Sequence, residues 1–412
     1  MSAVGFAGDW LIVTCDKKLT AIHTKQKREP FLFDCSTAEK KPPTSCPKDE
    51  KNSDCGAEET GRDKILAFSV SPSGKLVALI DDTKRLVLFQ CEPSWQCISI
   101  RWVVRRCTSL VFSQAEDQLL VADKSGDVYS FSVVDPQGAG ELKMGHLSML
   151  LAITMSPDNR YIITADRDEK IRVSCLRCPY NIQSFCLGHQ EFVSTLLIPF
   201  GCPHLLLSGS GDGTVKLWQY ETGRQLQTLD LKQFEEKQSS EPDKEKVTKP
   251  TVCRIASSPD GHHIAVQCER VSTVEFFTVN QEGERLMPDS RITLPHCPLD
   301  VAFDPEGRLW VLMDSNDSPL QVYTHKKDCW ECDTQSAEVI TVTEDFKSHW
   351  NTLDATTRFS SSFEHLHKVG FDNVTAYMQK KQQRLEEQQL KRTKSQKANG
   401  TKKAKTETRP FA

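Results

Sequence analysis

Short apolar stretches that each end a β-strand recur along this chain at an almost constant step: Arg85-Leu-Val-Leu-Phe89, Asp127-Val-Tyr-Ser-Phe131, Lys170-Ile-Arg-Val-Ser174 and Thr214-Val-Lys-Leu-Trp218. Their first residues stand 42, 43 and 44 positions apart. A period in the low forties, with a tight polar turn before the last apolar strand, marks four-stranded blades arranged as a β-propeller. Such a blade cannot bury both faces of its sheet alone, so the chain must close a ring. Closed rings of this kind serve more often as docking platforms than as catalysts.

The series extends both ways once insertions are allowed for. Glu29-Pro-Phe-Leu-Phe33 lies 56 residues before Arg85, Thr273-Val-Glu-Phe-Phe277 lies 59 after Thr214, and Pro319-Leu-Gln-Val-Tyr323 follows by 46. The two long steps each hold a charged stretch of low complexity, residues 38–63 and 234–249. Neither carries enough apolar surface to order itself, so both are expected to be mobile surface inserts. Seven repeats remain.

The fifth repeat identifies the type. Gly188-His189 opens it, Leu205-Leu-Leu-Ser208 alternates into a strand, and Asp212-Gly213 supplies the positive φ values of a tight hairpin. This is the WD-repeat pattern, in which His189, Ser208, Asp212 and Trp218 form a buried hydrogen-bonded set. The fourth repeat keeps Gly145-His146, Thr164 and Asp168, with Ser174 in place of the tryptophan. The expected fold is all-β: a seven-bladed WD-repeat β-propeller over residues 1–350, then a C-terminal extension, 351–412, with a basic helix and tail. Leu11-Ile-Val-Thr14 near the start and the β-branched run Ala337 to Thr343 after the last repeat both offer a strand to close the ring.

No stretch approaches eighteen uninterrupted apolar residues, so no membrane span is expected. The N-terminus lacks a basic region before its short apolar run, which argues against a secretory signal. The sixteen cysteines then belong to a reducing compartment, several as small buried hydrophobes in strands. Two C-x-x-C pairs, Cys175/Cys178 and Cys329/Cys332, lie too far apart for a zinc finger or ribbon, and no metal site is assigned. Gly209-Ser-Gly211-Asp-Gly213 matches the glycine pattern of cofactor-binding turns. That chemistry needs a helix after the turn, whereas Thr214-Val-Lys-Leu-Trp218 reads as a strand. No hydrolase, metalloprotease or P-loop motif occurs, and no catalytic residue is assigned.

Charge is unevenly divided. Residues 376–412 hold eleven Lys or Arg against three Glu, a net of +8, so the other 375 residues carry −12 of the overall −4. An acidic ring with a basic tail implies two electrostatic partners. Counting three residues back from each repeat's closing stretch gives Asp82, Lys124, Arg167 and Gly211. Lys124 and Arg167 therefore stand at matching places on adjacent blades, with Asp123, Asp166, Asp168 and Glu169 beside them. The bland account is a solvated turn; the sharper one is a charge-complementary docking rim.

From Phe371 the period becomes helical, with Phe371, Val374, Met378 and Leu385 near one face and Asp372 as a cap. One helix is expected from about 372 to 394, apolar at its start and basic later. Lys380, Lys381, Arg384, Lys391, Arg392 and Lys394 could reach nucleic-acid phosphates, which demand charge but no fixed geometry. A solvated extension is the alternative. Lys391-Arg392-Thr-Lys394 and Lys402-Lys403-Ala-Lys405 suit nuclear import, so residence is expected in the nucleus, with the cytoplasm also allowed.

Leu119 to Phe131, Gly145 to Leu151, Thr164 to Ser174 and Phe185 to His189 resemble the non-catalytic WD-repeat subunit of the eukaryotic tRNA (guanine-N7)-methyltransferase. The resemblance is dense from Arg105 to Trp218 and returns at Phe371 to Thr375 and the basic helix. It implies an accessory role: a separate catalytic subunit binds S-adenosylmethionine and methylates a guanosine in the tRNA variable loop, while the propeller holds that subunit active and helps position tRNA. It places partner-facing charge on Lys124 and Arg167 with the neighbouring acids, and the basic segment from about Lys380. A generic WD-repeat adaptor of a ubiquitin-ligase or chromatin complex would use the same rim without tRNA.

Overall fold

A strand sends successive side chains to opposite faces, and in this chain both faces meet another apolar layer. Leu76–Asp81, Gln118–Asp123, Tyr161–Asp166 and Leu205–Ser210, each the second strand of its sheet, are buried along nearly their whole length. The structure, a computed structural model, describes residues 2–40, 61–232, 250–280, 284–327, 329–350 and 363–368, with Met378, Lys380, Lys381, Gln382 and Arg384. Residues Met1–His367 form one compact unit and Lys368–Ala412 a second.

The first unit contains seven four-stranded antiparallel sheets, each contiguous in sequence. Blades 1 to 7 span residues 3–34, 65–102, 107–145, 150–186, 193–230, 252–293 and 298–332. The first strand of every blade adjoins the first strands of both neighbours, and Ala3–Ala7 adjoins Pro298–Phe303. The result is a closed seven-bladed propeller. Seven apolar clusters fill it, each drawn from two neighbouring blades. The core therefore lies in the seams, which is why no blade is stable alone.

Two expectations are corrected. Residues 29–33 are not the counterpart of the other repeats' closing stretches. In blade 1 that strand is Lys18–His23, whose Leu19 and Ala21 fill the core, and Phe31–Asp34 is the outermost strand. Phe31 and Phe33 meet Phe89 edge-on from there, so their aromatic character reports seam packing. The first insert consequently follows a finished blade.

Residues 337–343 are not a strand either. They begin helix α1 (Ala337–His349), capped by Ser336, whose side chain accepts from the Val339 amide. Val339, Val342 and Phe346 fall on one helical face and pack into the seam between blades 7 and 1, against Val4, Leu11, Trp310 and Val322. Each buried apolar side chain contributes about 1.5–3 kcal/mol. The helix-propensity penalty of a β-branched residue is only about 0.5 kcal/mol, so burial decides. No strand is exchanged to close the ring; the helix covers a seam closed by blades 1 and 7 themselves, where the Val4 amide donates to Asp300 Oδ2 at 2.8 Å.

Of the first insert, residues 41–60 lie outside the described residues, but its ends are held. The buried Arg85 guanidinium reaches Asp63 Oδ1 at 2.6 Å and the Ala38 and Glu39 carbonyls at 3.4 Å. The second insert lies outside the described residues.

Candidate partner-docking rim

The chain turns between the second and third strands of each blade at one end of the sheet. There the backbone N–H of Asp82, Lys124, Arg167 and Gly211 donates to the carbonyls of Lys64, Arg106, Met149 and Phe192 at 2.9, 3.1, 2.9 and 3.0 Å. The four positions found by counting are thus equivalent in their hydrogen bonding. Each acceptor lies in the connection entering that blade, so turns and connections share one rim. Lys124 and Arg167 are exposed there, on blades 3 and 4. Gly211 is buried instead, because a Cβ would stand 2.5 Å from the Phe192 ring.

The four acids grouped with these cations divide. Asp168 is exposed and Glu169 half-buried. Asp123 and Asp166 are only 1% and 2% exposed and turn inward. Asp123 Oδ1 accepts from the amides of Ser125 and Asp127 at 2.8 and 3.0 Å. Asp166 Oδ1 accepts from the Lys170 amide at 2.9 Å, and its Oδ2 stands 3.2 Å from His146 Nδ1. Both therefore hold their turns from inside. The fourth repeat's buried acid is also corrected: it is Asp166, at the strand end, and not Asp168. His146 Nε2 reaches Thr164 Oγ1 at 2.8 Å.

Sequence reasoning missed the apolar part of this rim. The connections entering blades 3, 4 and 5 each carry an exposed aliphatic residue: Val104 at 63%, Leu147 fully, and Leu187 at 61%. Leu147 is not exposed through slackness. The His146 amide donates to the Gly126 carbonyl at 2.8 Å, and Arg167 N–H fixes Met149. Gly126, at φ +100°, has the His146 and Ser148 carbonyls 2.5 and 2.7 Å from where a Cβ would lie, so no other residue fits. Leu147 is thus held outward between the turns bearing Lys124 and Arg167. Arg105 adds exposed charge at the Val104 connection.

The fifth repeat's quartet assembles as expected. His189 Nδ1 stands 3.0 Å from Asp212 Oδ2 and its Nε2 2.7 Å from Ser208 Oγ, which accepts from Trp218 Nε1 at 2.8 Å. The order Ser-His-Asp is that of a nucleophilic triad, but all of it is buried. Burial keeps the His189 imidazole below its ordinary range despite Asp212. Burial opposes ionisation of Asp212, yet the bonds from His189, Thr214 and the Gln190 amide hold it well below the usual carboxylate range. With Ser208 fully buried and its hydroxyl bonded to both His189 and Trp218, this is a turn-locking network.

Gly209 to Gly213 joins Leu205–Ser210 to Thr214–Gln219, both strands. Cys329 and Cys332 bound a four-residue outer strand, where residues three apart face opposite ways. In the second unit Lys380, Lys381 and Arg384 are helical and exposed; Lys391, Arg392 and Lys394 lie outside the described residues. No helix among the described residues is long and apolar enough to cross a membrane.

The family model of the tRNA methyltransferase TRM82 WD40 domain matches residues 14–141 and 134–342. The chain is 55% identical over 99% of its length to the tRNA (guanine-N(7)-)-methyltransferase non-catalytic subunit wdr4 of Danio rerio, covering 98% of that protein. It is 42% identical to the subunit of the same name, WDR4, of Homo sapiens, over 92% of this chain and 90% of that one. The solved structure of U3-55K superposes with a TM-score of 0.58 over 76% of this chain and 87% of that one, at 18% identity, a likeness of fold alone.

Proposed function

The chain belongs to the tRNA methyltransferase TRM82 WD40 family, as a relative of the non-catalytic subunits of tRNA (guanine-N7)-methyltransferase, and from that premise we propose how it acts. It docks a separate catalytic subunit, which carries S-adenosylmethionine, on the rim of blades 3 to 5. It stabilises that subunit and helps position tRNA for methylation of a guanosine in the variable loop. The basic tail supplies phosphate contacts, and its Lys-Arg clusters direct the protein to the nucleus.

One observation carries the docking surface: Leu147, fully exposed on a backbone fixed from both sides, between exposed Lys124 and Arg167. Isolated exposed aliphatics need no explanation. Three on successive connections, interleaved with charge at equivalent positions, have the make-up of an interface in which apolar contact gives affinity and charge fixes register.

Affinity purification of the native protein should return a stoichiometric catalytic subunit. Leu147→Asp should then weaken assembly by about 2 kcal/mol or more, while an exposed position leaves the melting temperature unchanged. A variant that assembles as tightly as wild type would remove the rim from the interface. Recovery of a ubiquitin-ligase or chromatin complex instead would sink the methyltransferase role.

A further inference from the structure

The last residues of the propeller unit return to the rim. Phe363 lies flat on Phe192, ring centroids 5.8 Å apart and planes 11° from parallel, and His367 meets the same ring edge-on at 5.0 Å. Leu366, between them, is buried. His367 Nε2 stands 3.5 Å from Thr251 Oγ1, and its Nδ1 3.8 Å from Glu191 Oε2. One turn of 3-10 helix, Glu364–Leu366, gives the segment its shape, with the Leu366 amide donating to the Phe363 carbonyl at 2.9 Å. Arg167 completes the arrangement: Nε donates to the Leu366 carbonyl and a terminal nitrogen to that of His365, both at 3.4 Å.

We propose that residues 363–367 are a latch docked in cis, an aromatic-x-x-Leu-His segment seated in a slot that blades 4, 5 and 6 form together, with Arg167 as its clasp. The slot takes Arg167 from the blade 4 turn, Glu191 and Phe192 from the connection entering blade 5, and Thr251 from that entering blade 6. Gly211 gives the Phe192 ring its room. Elsewhere on this rim the connections leave Val104, Leu147 and Leu187 exposed; at Phe192 the chain covers its own apolar residue. Stacking, burial of a leucine and charge-assisted bonds to main-chain carbonyls are separate kinds of interaction, and they converge on five residues. The guanidinium holds the latch from the rim, where Arg167 is itself exposed. Any partner reaching blade 4 at this point meets Glu364 and His365, both exposed.

Hydrogen exchange on the full chain tests this, comparing wild type, Phe363→Ala/Leu366→Ala and Arg167→Gln. The double variant alters only the docked segment, so the propeller folds regardless. Amides of residues 365–367 should exchange about tenfold more slowly in wild type than in the double variant. Arg167→Gln should fall between, with strand protection the same in all three. A wild-type segment that exchanges as fast as the double variant would overturn the latch, and full protection in Arg167→Gln would overturn the clasp.

Discussion

Asp123 and Asp212 both organise a turn, yet they differ by one histidine. Asp212 is held by His189, whereas the connection entering blade 3 reads Val103-Val104-Arg105-Arg106 and supplies none. Asp123 Oδ2 is buried with no hydrogen-bond partner among the described residues, and burial pushes its carboxyl above the usual range. A carboxyl with a raised folded pKa loses stability as pH rises past its ordinary value, so the cost grows from the ordinary carboxylate range upward. Asp123→Asn keeps the two amide bonds to Oδ1 and removes the charge. It is expected to stabilise by about 1 kcal/mol, while Asp212→Asn should cost about 1–3 kcal/mol. Thermal melts at pH 7 check both, and a lower melting point for Asp123→Asn would contradict the account. The quartet of the fifth repeat is legible in sequence because all four residue types fall at the pattern's spacings. In the fourth repeat Asp166 and Asp168 both flank Arg167, and only the inward orientation at the strand end chooses between them.

At the scale of elements, the seam between blades 6 and 7 carries an acid-sensitive cluster. His263 and His325 lie 4.6 Å apart, centroid to centroid, and both meet Trp330, which stacks on Phe276. Burial lowers the His263 pKa, and the neighbouring His325 lowers it further, against the opposing pull of Asp289 and Asp260. The unfolded chain therefore binds the extra proton first. Stability from this histidine is complete above its ordinary pKa, about 6.5, and is lost as pH falls below it. Melting temperature should drop between pH 7.5 and 5.5, and His263→Phe, which keeps an aromatic ring there, should flatten that slope; parallel slopes would exclude the cluster. The blades are legible because a period near 43 survives degenerate sequence. Helix α1 is not, because its β-branched run suggests a strand, although Val339, Val342 and Phe346 already show the helical step. The seam that this face covers exists only once the ring has closed. The same holds for the latch, whose Arg167 and Leu366 are 199 positions apart.

For the whole molecule the deciding quantity is the division of charge, −12 over the first 375 residues and +8 over the last 37. A net acidic body repels nucleic acid at long range, so any tRNA affinity must come from local basic surface or from the tail. Lys380, Lys381 and Arg384 are exposed on a helix, and binding to phosphate asks only that such charges come within reach. Residues 380–412 belong to the second unit, whereas the seven seams and the rim are built from residues of the first. Their deletion should preserve assembly with the catalytic subunit, weaken tRNA binding and flatten its salt dependence. Every phosphate that the shortened protein no longer neutralises lowers the slope of log K against log salt by roughly 0.7 to 0.9. The weakening should be alike across tRNA sequences, because point charges on the backbone do not read base edges. A solvated extension predicts no change in affinity or slope. Titrations of tRNA into the two assembled complexes at several salt concentrations separate these outcomes, and equal slopes would take the tail out of the binding surface.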